Sequence, residues 1–279
     1  MTFGLIESII SNTGEIKTLI KKKIHDAREH AQLQWNENPC GAFDLNKNKI
    51  DFFDKVEKLR YKQQYWQKNF FDFNSFSGRV LEIGIGLGTD LKQFARAGAQ
   101  CHGIDITDEH LIQTKNNFNK EGMLVKLKKG DANNLPYSDS FFESVYSFGV
   151  IHHIPDIDKV LKEIYRVLKP GGILQIAVYH KYSIHTLSLF LRAFFSGKIF
   201  KIGIKGVLST IELGADGVKI KPYVKLYSKY ELRGILLKHN FKINKNGIKQ
   251  VNYDNRHKLN FLRRFENYIG WYVCYCCTK

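Results

Sequence analysis

Residues 80–90 read VLEIGIGLGTD, an apolar run that leads into three glycines spaced two residues apart. The apolar run predicts a buried strand, and the glycines allow a sharp turn that a ligand can approach closely. The N–H groups of the helix that follows can bind a carboxylate or a phosphate. A dinucleotide fingerprint would need glycine where Thr89 stands, and no Gly-Lys-Ser/Thr follows, so two phosphate-binding motifs are excluded. Glu82, just before the first glycine, suits a ligand that carries an amino group.

Apolar runs and helical stretches alternate from Arg79 onward. The apolar runs predict strands over 80–85, 100–106, 124–128, 144–147, 172–179, 241–251 and 271–277. Helical spacing predicts helices over 90–97, 108–119, 157–168 and 228–239. Alternation of this kind, with largely apolar strands, is typical of an α/β fold with a doubly wound parallel sheet and helices on both faces.

Two segments fall outside this alternation. Residues 1–78 carry helical patterns in the first thirty-odd residues and over 51–71, and they predict a helical cap. The alternation also breaks down over about 181–226, directly after the fifth strand. Since ligands bind at the carboxyl edge of such sheets, we expect this insertion to form a lid or part of a substrate pocket. The predicted organisation is therefore a cap over 1–78 and a main domain over 79–279.

The composition is that of a globular protein with a strong positive charge. The chain has 279 residues, of which 43% are hydrophobic and 25% charged, and this excludes a disordered or fibrous protein. Lys and Arg number 43 against 27 Asp and Glu, a net charge of +16. That charge suits a nucleic acid or an anionic membrane surface, but AT-rich codon use also favours lysine, so charge alone does not identify a partner.

The cysteine pattern predicts free thiols. Three of the five cysteines, Cys274, Cys276 and Cys277, lie in the last six residues, and no C-x-x-C pair is present. This spacing suits neither a disulfide framework nor a zinc site, so we expect a reducing compartment and no metal. No secretory signal is recognisable, and the most apolar run, 184–195, is too short to span a membrane. The sequence thus predicts a cytoplasmic protein.

Acidic residues follow the next two strands. Asp105 ends the second strand, where a carboxylate suits the two hydroxyl groups of a ribose. Asp131, after the third strand, is placed to accept from an adenine amine, with Ala132 supplying a backbone N–H. Together with Glu82, these residues suit an amino group, a ribose and an adenine in that order. The pattern therefore predicts a ligand in which an amino acid is joined to a nucleoside.

Residues 80–179 resemble a class I S-adenosylmethionine (SAM)-dependent methyltransferase, in the subgroup that includes quinone-ring and other small-molecule methyltransferases. The resemblance rests on VLEIGIGLGTD, GIDIT, GDANNLPYSDSFFESVYSFGVIHHIPD and EIYRVLKPGGIL, in the family's order and spacing. It implies a mostly parallel seven-stranded sheet whose final strands form an antiparallel pair. It also implies SAM as the cofactor and S-adenosylhomocysteine as the product.

The resemblance assigns residues to each part of SAM. Glu82 would contact the methionine part, Asp105 would bind the ribose, and Phe148 would lie near the sulfonium. The three loop glycines, Gly84, Gly86 and Gly88, would also surround the methionine part. Ile106 would pack on the adenine, and Asp131 and Ala132 would contact its edge.

His152 and His153 follow the fourth strand, at the edge where the methyl acceptor should arrive. An imidazole there can act as a base if the acceptor must lose a proton, although one of the two can instead pack against or cap the next helix. Tyr179 and His180, at the end of the fifth strand, are candidate substrate contacts.

Three functions are consistent with the sequence. The favoured one is methylation of a small molecule on O, N or C, with a hydrophobic or aromatic part such as a quinone precursor or a lipid. An RNA methyltransferase would use the basic surface, but no RNA-binding module or Asn/Asp-Pro-Pro-aromatic clamp is recognisable. The third is a non-catalytic SAM-binding accessory protein. The predicted N-terminal helix and residues 187–205 pair apolar residues with lysines, as interfacial membrane helices do, although packing on the protein's own domain is the favoured explanation. The oligomeric state is not predicted.

Overall fold

The computed structural model describes residues 27–36, 45, 49–74, 78–212, 222–251 and 260–279. Residues 27–36 are helical and form α1. The earlier part of the first predicted helix and most of the turn predicted after it lie outside the described residues. Within the described ranges, no helix combines the length and apolar character needed to cross a membrane.

Seven strands form one sheet, as predicted. They are β1 (Arg79–Ile83), β2 (Gln100–Asp105), β3 (Lys126–Lys129), β4 (Phe142–Phe148), β5 (Leu168–Tyr179), β6 (Lys242–Lys249) and β7 (Tyr272–Thr278). Their order is β3-β2-β1-β4-β5-β7-β6. Strand β7 is antiparallel to both neighbours and the other pairs are parallel, which confirms the predicted antiparallel end. In the centre of the sheet, Glu82 of β1 lies between Gly103 and Tyr146.

Helices cover both faces of the sheet. Successive residues of a strand point to opposite faces, so each strand contributes side chains to a core on either side. Ile176 and Val178 of β5 pack in a core with α6 (Ile157–Val167) and α9 (Lys229–Lys238). Ala177 and Tyr179 pack in the opposite core, which includes residues of α4 (Thr89–Arg96) and α5 (Asp108–Lys120). The predicted two-sided α/β architecture is confirmed.

The fifth strand begins four residues before its predicted start at residue 172. Helix α6 ends at Val167 and β5 begins at Leu168, so Lys169-Pro170-Gly171-Gly172 lies within β5. The register against β4 shifts between Phe142 and Ser144, and Gly171 has a φ of +77°. The Pro-Gly pair therefore forms an irregular start to the strand, as expected where proline cannot donate to the ladder.

The cysteines of β7 fill the core as the alternation predicts. Cys274 and Cys276 pack with one core and Cys277 with the other. The four cysteines in the described part of the chain, these three and Cys101, are all free.

The cap contains two helices where one was predicted over 51–71. Helix α2 spans Phe52–Gln63 and helix α3 spans Gln67–Phe70, with a break between them. Trp66, Phe70 and Phe71 pack in the same core as β1 and β4. These cap residues thus share a hydrophobic core with the sheet, and the domain boundary at residue 78 stays a prediction.

The insertion after β5 contains a helical pair. Helices α7 (Ile184–Phe195) and α8 (Lys198–Ser209) are followed by a short 3-10 turn, Thr210–Glu212. Ser183 caps α7 by accepting a hydrogen bond from the backbone N–H of Thr186. Part of the α7–α8 surface does not pack on the domain, since Phe195 is 82% exposed and Phe200 is 76% exposed. A short helix, α10 (Glu266–Ile269), precedes β7.

Candidate cofactor and acceptor site

The glycine loop after β1 has no room for a side chain at one of its glycines and leaves open space at another. Gly84 has a φ of +74°, and a Cβ there would lie 2.2 Å from Cγ2 of Val150. Gly86 also has a positive φ, +52°, but a Cβ there would meet nothing within 4 Å. The loop is therefore tightly packed at Gly84 and open at Gly86, where a ligand can approach the backbone.

Glu82 is a buried acid without a counter-charge of its own. Its side chain is 4% exposed, and its Oε2 has no hydrogen-bond partner among the described residues. Burial and the negative charge of Asp90 raise the pKa of Glu82 well above its usual range, and the nearby Arg60 only partly opposes this. A cationic amino group would supply the missing partner, which is what the sequence predicts for the methionine end of SAM.

Asp105 is held in one orientation by its neighbours. Its Oδ1 accepts from the backbone N–H and the hydroxyl of Thr107, at 3.0 and 2.9 Å, and its Oδ2 lies 3.1 Å from Nδ1 of His110. Burial opposes ionisation of this carboxyl, but the hydrogen bonds from His110 and Thr107 outweigh it and keep the pKa of Asp105 below its usual value. A carboxylate has about four acceptor positions, so capacity remains for a ribose hydroxyl.

The predicted adenine edge lies under α1. Asp131 accepts from the backbone N–H of Asn133 at 2.9 Å, and its other oxygen lies 3.5 Å from Nη1 of Arg28. Gln32 donates to the backbone carbonyl of Ile106 at 2.9 Å. Ala132 is buried beside Asp131. Helix α1 therefore spans the residues predicted to contact adenine and ribose.

Phe148 lies in an aromatic cluster beneath a cap arginine. The guanidinium carbon of Arg60 lies 4.5 Å from the centroid of the Phe148 ring, and the ring of Tyr272 lies 4.6 Å from it. Phe148 is buried, and Trp66 also packs against it. Contact of Phe148 with the cofactor remains a prediction.

Asp90, in the first turn of α4, is the centre of a buried polar cluster that the sequence did not reveal. It accepts hydrogen bonds from Tyr61 at 2.9 Å, Gln67 at 2.7 Å and Tyr146 at 3.0 Å, besides its ion pair with Arg60. Three of these partners come from the cap. No sequence signal joins an arginine and an aspartate that lie 30 residues apart.

The two histidines after β4 lie side by side in the interior. His152 is fully buried, its ring centroid lies 4.1 Å from that of His153, and neither of its nitrogens has a partner in the described structure. Burial, with a smaller contribution from His153, holds the pKa of His152 well below its usual value, so its imidazole is neutral. Nδ1 of His153 lies 2.8 Å from the carbonyl oxygen of Tyr223. The structure thus brings together the two predicted acceptor-facing residues.

Glu212 joins this pair from the insertion. Its Oε1 lies 3.6 Å from Nε2 of His153. No sequence signal points to Glu212, because it lies far along the chain, at the end of a segment without a recognisable motif. Only a fold that returns the insertion to the end of β4 reveals it.

Tyr179 and His180 differ in their surroundings. The Tyr179 ring lies 3.8 Å from that of His152, centroid to centroid. The backbone N–H of His180 donates to Trp271 at 2.7 Å, and its ring Nδ1 lies 3.0 Å from the carbonyl of Gly270. These contacts favour an anchoring role for His180, and substrate contact by either residue stays a prediction.

A cavity of about 950 Å³ lies between α7, α8 and residues 222–226. Much of its lining is apolar and includes Leu187, Phe190, Leu208, Val224 and Leu226. Three lysines also line it: Lys181, Lys205 and Lys225. Tyr223, whose carbonyl faces His153, also lines it. The cavity is therefore separated from the histidine pair by one residue.

The comparisons with known proteins agree with the motifs. Residues 81–176 match the family model described as a methyltransferase domain. The demethylmenaquinone methyltransferase of Thermobifida fusca is 30% identical over 174 residues, which cover 60% of this chain and 70% of that protein. Phosphoethanolamine N-methyltransferase 2 of Caenorhabditis elegans is 36% identical over 116 residues, 41% of this chain but 26% of that protein. With this and several other curated relatives, the match thus spans well under half of the relative's length.

A solved structure shows the same fold. It is phosphoethanolamine N-methyltransferase 2 of Haemonchus contortus in complex with phosphomonomethylethanolamine and S-adenosylhomocysteine. The superposition has a TM-score of 0.53 at 20% identity and covers 83% of this chain and 59% of that chain. The strand order, the motif at 81–176 and the relative from Thermobifida fusca lead to one assignment: the chain belongs to the class I SAM-dependent methyltransferases.

Proposed function

We propose that this chain transfers the methyl group of SAM to a small-molecule acceptor, on oxygen, nitrogen or carbon. The observation that carries the proposal is the placement of three acids on the adjacent strands β1, β2 and β3 or just beyond them, at Glu82, Asp105 and Asp131. Glu82 in particular is buried, and its Oε2 has no hydrogen-bond partner among the described residues, a partner that a cationic amino group would supply.

Each part of the cofactor has a matching group. Glu82 receives the amino group, the open backbone at Gly86 admits the methionine part, and Asp105 holds the ribose. Asp131 and Ala132 contact the adenine edge. Bound SAM supplies an electrophilic methyl group on its sulfonium. The contribution of the protein is to hold donor and acceptor in line, which can account for much of the acceleration.

The acceptor cavity favours a molecule with a hydrophobic or aromatic part. Its apolar lining from α7 and α8 suits an apolar body, and lysines such as Lys181 and Lys205 suit a phosphate or carboxylate. The names of the relatives include enzymes for demethylmenaquinone and for phosphoethanolamine, which are an apolar and an anionic acceptor.

His152 and His153 act on the acceptor side. The support is their position after β4, the His152 nitrogens that have no partner within the described ranges, and the link from His153 to the cavity through Tyr223. A neutral imidazole can accept a hydrogen bond or a proton from an acceptor hydroxyl.

Calorimetric titration with SAM and S-adenosylhomocysteine tests the proposal. The wild-type chain should bind both, and Asp105→Ala should weaken binding about tenfold or more, since it removes a charged hydrogen-bond acceptor. Asp108→Ala is the matched control, because Asp108 is exposed and pairs with Lys129 at the surface. A folded wild-type chain that binds neither compound would overturn the proposal. With acceptors added, His152→Ala should bind SAM normally and turn over more slowly.

A further inference from the structure

We propose that His152, His153 and Glu212 form a binding site for a divalent transition-metal ion of the zinc type. One ligand atom from each of the three side chains lies within 4.8 Å of the other two. Two imidazole nitrogens and one carboxylate oxygen are a donor set that zinc-type ions prefer, and three protein ligands leave a coordination position open. Binding of the ion does not depend on methyl transfer, whereas its role toward the acceptor rests on the proposed function.

The hydrogen bond made by His153 fixes which of its nitrogens can bind a metal. Its Nδ1 must donate to the carbonyl of Tyr223, because a carbonyl oxygen can only accept. In the neutral imidazole the lone pair is then on Nε2, which faces Glu212 Oε1 at 3.6 Å. Metal-binding histidines commonly donate their other N–H to a backbone carbonyl in this way. A lone pair and a carboxylate that face each other in the interior need a positive charge between them.

A proton shared by His153 and Glu212 would satisfy only that pair. The nitrogens of His152, Nε2 of His153 and Oε1 of Glu212 are all buried without a hydrogen-bond partner in the ranges described. Leaving buried polar atoms unpaired is unfavourable, and a proton on His153 would still leave His152 unsatisfied. A metal ion uses a lone pair from all three residues, and this favours a metal over a simple ion pair.

Helix α1 contacts two of the three residues and holds one of them in place. Gln34 donates to the backbone carbonyl of Glu212 at 3.0 Å, which fixes the 3-10 turn that carries the carboxylate. The ring of Trp35 packs against His153 edge-on, with 5.6 Å between the centroids. The cluster is therefore organised before an ion arrives, as a binding site requires.

The position of the cluster indicates what an ion there would bind. His152 packs against Tyr179, and the partner of His153, Tyr223, lines the acceptor cavity. The open coordination position suits an oxygen of the acceptor, so the proposal names hydroxyl-bearing acceptors as the substrate class. With an ion in place the two imidazoles would act as its ligands and would not take the proton themselves. Metal coordination would lower the pKa of a bound hydroxyl, whose proton would pass to water. The oxygen then forms the bond to the methyl carbon, and the carbon–sulfur bond breaks with its electron pair on sulfur.

Cobalt titration of the full-length, chelator-treated protein tests the site. We expect one Co²⁺ per chain, with d–d absorption bands typical of nitrogen and oxygen ligands, no thiolate charge-transfer band, and displacement by Zn²⁺. Glu212→Gln should weaken Co²⁺ binding about tenfold or more and leave SAM affinity unchanged, which also shows that the variant is folded. The control is His239→Gln, which removes a histidine that pairs with Asp158 at 2.7 Å elsewhere and should change neither affinity.

Three results would overturn the metal site. They are the absence of Co²⁺ binding by the wild-type chain, a thiolate band that assigns the ion to cysteines, and unchanged Co²⁺ affinity in Glu212→Gln. SAM titration of the same samples separates this outcome from failure of the proposed function. A chain that binds SAM but not Co²⁺ refutes only the metal site, and one that binds Co²⁺ but not SAM refutes only the methyl-transfer proposal.

Discussion

Nη2 of Arg60 lies 2.5 Å from Oδ2 of Asp90, so a salt bridge joins cap helix α2 to the first turn of α4. Asp90 follows the glycine loop directly and is 3% exposed. The same guanidinium lies over the ring of Phe148, a predicted cofactor contact. The cap is therefore joined to the cofactor loop through a pair whose carboxylate is buried and whose guanidinium is partly exposed, and the stability of the two is coupled.

Asp90→Asn should strongly destabilise the fold. The amide removes the counter-charge of Arg60 and one of the oxygens that accept from Gln67 and Tyr146. Removing one partner of a fully buried ion pair costs about 3–5 kcal/mol. Arg60 is partly exposed, so we expect a smaller loss that still lowers the urea midpoint clearly. Asp54→Asn is the control, because Asp54 pairs with Lys120 at the surface and its loss should change little. Equal midpoints for the two variants would show that the cluster does not support the fold.

Glu82→Gln should stabilise the free protein and weaken its binding of SAM. Burial and Asp90 raise the pKa of Glu82 in the folded state. The stabilisation that the protonated side chain contributes is therefore fully present below the pKa of the unfolded chain, and it is lost as the pH rises through the folded-state pKa. Above the pKa of the unfolded chain, keeping this acid in the interior therefore costs the wild type free energy that the neutral Gln avoids. Thermal melts should show the variant ahead at pH 8, with a smaller difference at pH 5. Its SAM affinity should fall about tenfold or more, because a charged partner is lost.

Glu143→Gln provides a control of opposite sign. Burial raises the pKa of Glu143, but the bond from Lys169 outweighs it and the pKa is lowered overall. The stabilisation that the ionised Glu143 contributes is thus present above its pKa in the unfolded chain, and it is lost as the pH falls through its lower pKa in the folded protein. This variant should melt below the wild type at pH 8 and bind SAM normally. A Glu82→Gln variant that also melts below the wild type at pH 8 would contradict the view that burial of the Glu82 carboxyl is unfavourable.

Gln32→Ala should speed the release of SAM. Gln32 ties α1 to the carbonyl of Ile106 above the predicted adenine edge, and one hydrogen bond of this kind contributes about 1 kcal/mol, roughly a fivefold effect. Stopped-flow displacement of a fluorescent SAM analogue should show the increase in the dissociation rate. Gln113→Ala removes a bond to Glu109 within α5 and serves as the control. Equal release rates would mean that α1 does not close over the cofactor.

The sequence predicts local features of this fold better than distant contacts. The glycine loop at residues 84–88 can be predicted because turn chemistry depends on neighbouring residues. The same holds for β7, whose alternating side chains pack in the cores on both faces of the sheet. The break between α2 and α3 was missed because Trp66 turns into the shared core, a tertiary effect that helical spacing does not show. Glu212 and the Arg60–Asp90 pair were missed for a related reason: their partners are close only after the chain has folded.

The exposed surface of the helical pair α7–α8 leads to a prediction about lipid. Phe195 and Phe200 are largely exposed at the end of α7 and the start of α8, and Lys198 and Arg192 lie beside them. A group of apolar side chains flanked by cations is typical of a surface that enters an anionic bilayer interface, and the net charge of +16 has the matching sign.

The wild-type chain should pellet with phosphatidylglycerol vesicles at low salt, less at high salt, and weakly with phosphatidylcholine vesicles, because the attraction is partly electrostatic. The double variant Phe195→Ser, Phe200→Ser should lose most of this binding. Tyr268→Ser is the control, since Tyr268 is equally exposed (72%) but lies on α10. Failure of the wild type to pellet would exclude the lipid surface. If sedimentation velocity instead shows a dimer that the double variant disrupts, a second copy of the chain covers these phenylalanines.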